Sequence, residues 1–178
     1  MKAYQRTLFL LGIVAFLIPV NRSSVSFALD GQPFGPILAG LKSVYIQVEP
    51  LSPETEEKGI AAAQIRKDTE RQLAKAGIKL LSEREFSRFR ITGTYPMARL
   101  EIAIDIDEIE FGGTRLNVNL IVVRARQQAL LAIKPAIRFF AITWQRQQIT
   151  YSNDVADVHG ALRDLLNEFI SAYNSANP

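Results

Sequence analysis

The chain has 178 residues, with 21 Lys and Arg against 18 Asp and Glu, one His and no Cys, for a formal net charge of +3. Its 48% hydrophobic and 22% charged residues are those of a globular chain and exclude the disordered and collagen-like classes. The absence of cysteine removes disulfides, thiolate nucleophiles, Cys-ligated zinc, iron–sulfur clusters and lipidated cysteine, and a lone His excludes a multi-histidine metal centre.

Lys2 and Arg6 precede an apolar run from Leu8 to Val20, followed by polar Asn21-Arg22-Ser23-Ser24 and then Val25-Ser26-Phe27-Ala28. This is the order of a cleavable secretory signal, with small Ser26 and Ala28 at the −3 and −1 positions of signal peptidase. The 13 residues of the apolar run are too few to span a bilayer, which takes about 20. The expected division is therefore a signal over 1–28, an irregular Gly- and Pro-rich lead over 29–40 and a single domain over 41–178. The signal holds Lys2, Arg6 and Arg22 and no acid, so residues 29–178 carry 18 basic and 18 acidic side chains and no net charge. The basic excess belongs to the export signal, and with it goes the case for nucleic-acid binding. The expected location is the periplasm or the medium.

Along the exported part, Val44 to Glu49 alternates with period two and predicts a strand that Pro50 ends. Ser52 and Pro53, followed by Glu54, Glu56 and Glu57, make a helix start, and Ala61, Ile65, Thr69, Leu73 and Ala76 continue at helical spacing to a stop at Gly77. Ile78 to Leu81 reads as a short strand; Ser82 to Thr94, with Phe86 and Phe89 among charged residues, fits a short helix or an ordered loop. Leu100, Ile102, Ile104 and Ile106 alternate with Glu101, Ala103, Asp105 and Asp107, a strand with one oily and one acidic face. The next apolar residues, Ile109 and Phe111, fall out of step; a β-bulge near Asp107 and Glu108 would restore them and leave Gly112-Gly113 as a two-residue hairpin loop, whereas without a bulge the loop is expected to have three residues. Leu116, Val118, Leu120 and Val122 form the returning strand. A further strand is expected between Ile137 and Thr150, with Lys134-Pro135 in the turn before it, and a helix from about Asp154 to Ala172 with a stripe from Val155 to Tyr173.

These elements predict an α+β fold, a two-layer sandwich with two long helices on one face of a mostly antiparallel sheet of about five strands. If even positions of the hairpin face the helices, Ala103, Ile121, Val123, Phe139 and Ala141 lie on the uncovered face near Tyr45. That face is then apolar enough to mark a contact, with Phe34, Ile37 and Leu38 of the lead as the simplest cover.

Residues able to carry chemistry are few. His159 falls beside Val155 and Leu162, and no nucleophile or orienting carboxylate accompanies it in sequence. No Gly-x-Ser-x-Gly elbow is present. Glu101, Asp105 and Asp107 share a strand face and are the candidates for a metal or paired-carboxylate site, although a strand spreads alternate side chains by roughly 7 Å; the other reading is a solvated face partnered by Arg115, Asn117 and Asn119. From Phe111 to Ser152 there are basic residues and no acid, and Arg124, Arg126, Arg138 and Arg146 are candidates for holding an anion or a partner.

The opening Leu41-Lys42-Ser43-Val44-Tyr45-Ile46-Gln47-Val48-Glu49 and the close Leu165-Leu166-Asn167-Glu168-Phe169-Ile170-Ser171-Ala172-Tyr173-Asn174 resemble those of small exported bacterial α+β proteins of uncharacterised function. The resemblance implies a fold and a compartment. The resulting expectation is a non-enzymatic binding or envelope-assembly module without cofactor, acting through its sheet face on an envelope protein, a glycan or a second copy. Its rivals are a hydrolase or metal-dependent enzyme built on the acidic strand and an adaptor for anionic glycan or lipid.

Overall fold

A computed structural model describes residues 35–93 and 96–178. The signal expected over 1–28, and with it Ser26 and Ala28, lies outside the described residues, as does Phe34. After a 3-10 turn at Gly35–Leu38, the order is β1 (Ser43–Val48), α1 (Pro53–Glu57), α2 (Ala62–Lys75), α3 (Glu83–Thr92), β2 (Met97–Phe111), β3 (Thr114–Leu131), β4 (Lys134–Tyr151) and α4 (Val155–Ala176). The four strands form one mixed sheet in the order β1-β2-β3-β4, with β1 parallel to β2 and the other pairs antiparallel. The fold is α+β as expected, with four strands instead of about five. Ile78 to Leu81 contributes only a single parallel bridge from Leu80 to Val44, because Gly77 and the cap of α3 leave too few residues for a ladder.

The helix expected from Ser52 to Ala76 is two helices. Ser52 caps the first, its hydroxyl accepting from Thr55 N–H at 3.2 Å with Pro53 at the first position. Gly59, at φ +89°, then breaks the chain so that Ile60 drops into the core. Residues 82–94 contain the helix α3, whose Ser82 and Glu85 form a reciprocal capping box: the hydroxyl accepts from Glu85 N–H and the carboxylate accepts from Ser82 N–H at 2.9 Å. The Ser82 backbone N–H, and after it the Ser82 hydroxyl, hold the Glu85 carboxyl below its ordinary pKa. A depressed carboxylate stabilises above the ordinary value and loses that contribution as pH falls through the folded one. Amide protection in the first turn of α3 is therefore expected to weaken in acid below about pH 4.5. Glu85→Gln should abolish that step in a hydrogen-exchange pH series.

Pairing of β2 with β3 runs without interruption from Phe111↔Thr114 to Ala98↔Gln127, so the expected bulge at Asp107 and Glu108 is absent, and Gly112-Gly113 nevertheless closes a regular two-residue loop in place of the three-residue one expected without a bulge. Ile109 simply takes the other side of the ribbon, since β1 and β4 do not extend alongside it and no core enforces the alternation there. The regular register also sets which face each residue of β3 occupies. Directly opposed residues share a face, so Ile121, Val123 and Ala125 join Ile104, Ile102 and Leu100 in the core. The expectation that Ile121 and Val123 lie on the uncovered face is thus reversed: both are fully buried under the helices. An irregularity does occur in β4, where Thr143 is the extra residue between the pairs Ala125↔Trp144 and Arg126↔Ile142, its hydroxyl donating to Ala125 O at 3.3 Å. That insertion puts Phe139 and Ala141 on the helix side of the ribbon as well. Lys134 is already the first residue of β4, and the turn before it is Ala132-Ile133.

Both long helices, α2 and α4, lie on the even-numbered face of β2, where Val158, Leu162, Leu165, Leu166 and Phe169 of α4 meet Leu73 and Ile65 of α2 and the buried strand residues. Trp144 packs edge-on against Phe169, with centroids 5.2 Å apart. The lead lies on this same side. Leu38 is fully buried in the main core, and Asn177 near the end of α4 binds it twice, accepting from Gly40 N–H at 2.8 Å and donating to Leu38 O at 3.0 Å. Residues 35–40 therefore do not cover the opposite face of the sheet, contrary to expectation. There α3 does so instead, at one end only: Phe86 stacks on Tyr45 with centroids 4.3 Å apart and approaches Phe140 at 6.1 Å, closing a second small core with Leu81 and Met97.

Candidate functional site

The sheet face opposite α2 and α4 divides into three zones along the strands. The first is the aromatic cluster under α3. Tyr45 donates its hydroxyl to Glu83 of that helix, and Arg66 of α2 sits over the Tyr45 ring at 5.7 Å. Burial raises the Tyr45 pKa first, and its bond to Glu83 adds to the rise, so the phenol stays protonated and pins α3 to β1.

The second zone is ionic. Glu101, in the middle of β2, has a side chain only 5% exposed, and three arginines converge on it. Arg99 Nη2 approaches one carboxylate oxygen at 2.6 Å; Arg126 Nε and Arg124 Nε approach the other at 2.8 and 3.6 Å. The register explains the convergence, because Arg99 pairs with Arg126 and Glu101 with Arg124 across adjacent antiparallel strands. Arg124 also reaches Glu49, at 3.3 Å. The second carboxylate oxygen and the three arginine Nε atoms are buried without an aligned hydrogen bond, so charge contact rather than hydrogen-bond geometry holds the group together. Three guanidiniums face two carboxylates, and one positive charge is left over. Arg99 further covers the Phe140 ring at 5.2 Å, which joins this zone to the first.

The third zone lies beyond the arginines toward the Gly112-Gly113 turn, where α3 does not reach. Ala103, Val118, Leu120 and Val122 alternate onto it from β2 and β3, and the exposed Ile149 and Tyr151 adjoin them on β4. Asp105 and Asp107 lie exposed on the same face, beside the part of β2 that β1 leaves unpaired.

Of the basic residues singled out in the sequence, Arg124 and Arg126 meet at Glu101. Arg138 lies on the same face near the far end of β4, donating to Thr92 O at 3.2 Å, whereas Arg146 lies on the helix side, paired with Glu168 of α4 at 3.1 Å and covering the Trp144 ring at 5.9 Å. The four do not come together. Arg99, which completes the ring around Glu101, was missed; its period-two spacing from Glu101 was visible, but its value depends on the β3 register.

The acidic residues do not assemble either. Glu101 is enclosed by arginines, Asp105 and Asp107 follow at alternate positions of an open strand, and Glu108 lies on the helix side near Lys58 and Arg115, at 3.6 and 3.5 Å. Among the described residues no three His, Asp or Glu side chains are placed to hold a metal ion. Arg115, Asn117 and Asn119, read as partners of the acidic face, lie on the other side of the sheet. Asn117 there accepts from Lys58 Nζ at 2.7 Å, and Asn119 donates to Thr150 Oγ1 and Ser152 O at 3.1 and 2.9 Å, fixing the entry to α4. His159 lines an open groove of about 570 Å³ between α2 and α4, together with Asp68, Gln72, Arg163 and Asn167. Gln72 bridges the floor of that groove by donating to Arg163 O at 3.0 Å and Asn167 Oδ1 at 2.8 Å.

No helix among the described residues is long and apolar enough to cross a membrane. Neither a comparison with protein-family models nor one with curated proteins returns a match. Among solved structures, the chain is similar to two dodecamer structures of PelC from Paraburkholderia phytofirmans, one of them a point variant. Identity is 11% and 10%, TM-score 0.37 and 0.36; the matches cover 78% and 77% of this chain and 91% of each PelC chain. At that score and identity the likeness assigns this chain to no family.

Proposed function

We propose that the chain is an exported, non-enzymatic module of the bacterial envelope that holds a protein partner on its open sheet face. The observation that carries this reading is the third zone: partly exposed Leu120 and exposed Ile149 and Tyr151 form an apolar surface that neither α3 nor the lead covers, bordered by exposed Asp105 and Asp107 on one side and by the arginine ring on another. An apolar centre with a charged rim is the composition of a specific contact surface. Export is supported by Lys2 and Arg6 ahead of the Leu8 to Val20 run and by Ser26 and Ala28. The net positive charge around Glu101 favours an anionic glycan as a second kind of ligand, and binding of such a ligand should fall steeply with salt.

The test is affinity capture from envelope extract with wild-type protein and with Ile149→Lys/Tyr151→Lys, both exposed positions that leave the core intact. A protein captured by wild type and lost with the variant is the expected result, with crosslinking and size-exclusion chromatography separating a foreign partner from a second copy. A strictly monomeric chain whose captured set is unchanged by the variant would sink the reading.

A further inference from the structure

The far end of the sheet carries a feature unrelated to the open face. The strands β3 and β4 run on past the first residue of β2 that pairs with β3, Ala98 opposite Gln127, so that from Gln128 to Leu131 the sheet is a two-stranded ribbon closed by Ala132-Ile133. Its end is apolar and exposed: Leu130, Ile137 and Phe139 are about half exposed, and Ile133 at the turn is 84% exposed. Side-chain alternation places Leu130 on one face of the ribbon and Phe139 on the other. A flat partner laid against one face would leave the second in water, whereas a medium that surrounds a projecting tip takes up both. Nothing acidic lies between Glu110 and Asp154, so every charge on this ribbon is positive.

The cations lie close to the tip: Lys134 follows the turn directly and pairs with Leu131, and Arg138 pairs with Leu130. Arg138 is held by its bond to Thr92 O, and Gln128 donates to Arg90 O at 3.5 Å, which fixes the last turn of α3, bearing Arg90 and the 78% exposed Ile91, against the ribbon. Gly93 ends α3 at this junction in a left-handed conformation that favours glycine. Its φ is +64°, and a Cβ there would displace the end of the Arg138 side chain. Long basic side chains set among exposed apolar ones suit the surface of an anionic bilayer, where they extend back to the phosphates while the apolar groups enter the acyl region.

We propose that the β3–β4 tip inserts into the surface of an anionic lipid bilayer, with Leu130 and Ile133 among the acyl chains and Lys134, Arg138 and the end of α3 reaching the phosphates. Each large aliphatic side chain so buried should strengthen partitioning by about tenfold or more. The cations make the binding specific for anionic lipid and sensitive to salt.

Flotation of the full chain with vesicles of phosphatidylethanolamine and phosphatidylglycerol, and with vesicles of phosphatidylcholine alone, tests this. Leu130→Asp/Ile133→Asp should weaken partitioning to the anionic vesicles by at least about tenfold. Because the chain has no cysteine, Ile133→Cys and, at the other hairpin, Glu110→Cys each accept one environment-sensitive fluorophore. The label at 133 should shift to the blue on anionic vesicles and the label at 110 should not. This readout distinguishes tip insertion from binding through the Leu8 to Val20 run, and it holds even if the double variant folds poorly. No wild-type binding, binding without a shift at 133, or a tip variant that changes only the oligomeric state would each overturn the proposal. Ile149→Lys/Tyr151→Lys should leave vesicle binding intact, so failure here and failure of the open-face reading are separable.

Discussion

Replacing Glu101 by Leu is expected to destabilise the fold by about 3 kcal/mol, the lower end of what removal of one member of a buried ion group costs, since the arginines keep some access to water. For a chain of this size that loss lowers Tm by about 10 °C. The cause is not one lost attraction. Without the carboxylate, Arg99, Arg124 and Arg126 are left as three neighbouring cations with their Nε atoms buried and only Glu49 nearby. Two controls distinguish this from a packing defect. Glu101→Gln combined with Arg126→Gln should recover part of the loss, because it lowers the repulsion, and the deficit of Glu101→Leu should shrink in high salt. Thermal unfolding followed by circular dichroism measures both; a single variant that melts like the wild type would mean that the arginines are solvated and that the ring contributes nothing.

Phe169→Ala should cost about 3–5 kcal/mol. The Phe169 ring is fully buried where α4 meets the sheet, and its removal takes the edge contact from Trp144 and the tilted contact with Tyr173, whose centroid lies 6.4 Å away. Trp144 is the sole tryptophan and is itself buried, so its fluorescence reports this interface directly. In urea the unfolding midpoint should fall by roughly 2 M for a slope of about 2 kcal/mol/M. Phe89→Ala, in the small core beneath α3, should cost less, since that side chain is only partly buried. Equal midpoint shifts for the two variants would contradict the division into a main and a minor core.

What could be read from the sequence was local. The Ser52 cap, the Gly77 stop, the Gly112-Gly113 loop and the stripe of α4 each rest on a few neighbouring residues, and the structure contains all of them. What depended on register could not be read. Leu120 and Ile121 are both apolar, and only the odd sum of each β2–β3 pair puts Ile121 in the core and Leu120 on the open face. The same parity moves Asn117 and Asn119 away from the acidic residues and brings Arg124 and Arg126 onto Glu101. Phe86 and Phe89 posed a different difficulty. Their spacing fits a helix, but what selects helix over loop is Tyr45 and Phe140 beneath them, 41 and 54 residues from Phe86 in sequence.

The clasp at Asn177 has a consequence for timing. Its partners Gly40 and Leu38 lie 137 and 139 residues away, and Tyr173 of the same helix donates to Leu41 O at 3.0 Å. By contrast, the β2–β3 and β3–β4 hairpins pair residues close in sequence and close early. The meander can thus assemble while residues 38–41 still lack a seat. Leu38 gains its core position only when α4 arrives, so residues 38–41 should be among the last parts of the described fold to become ordered.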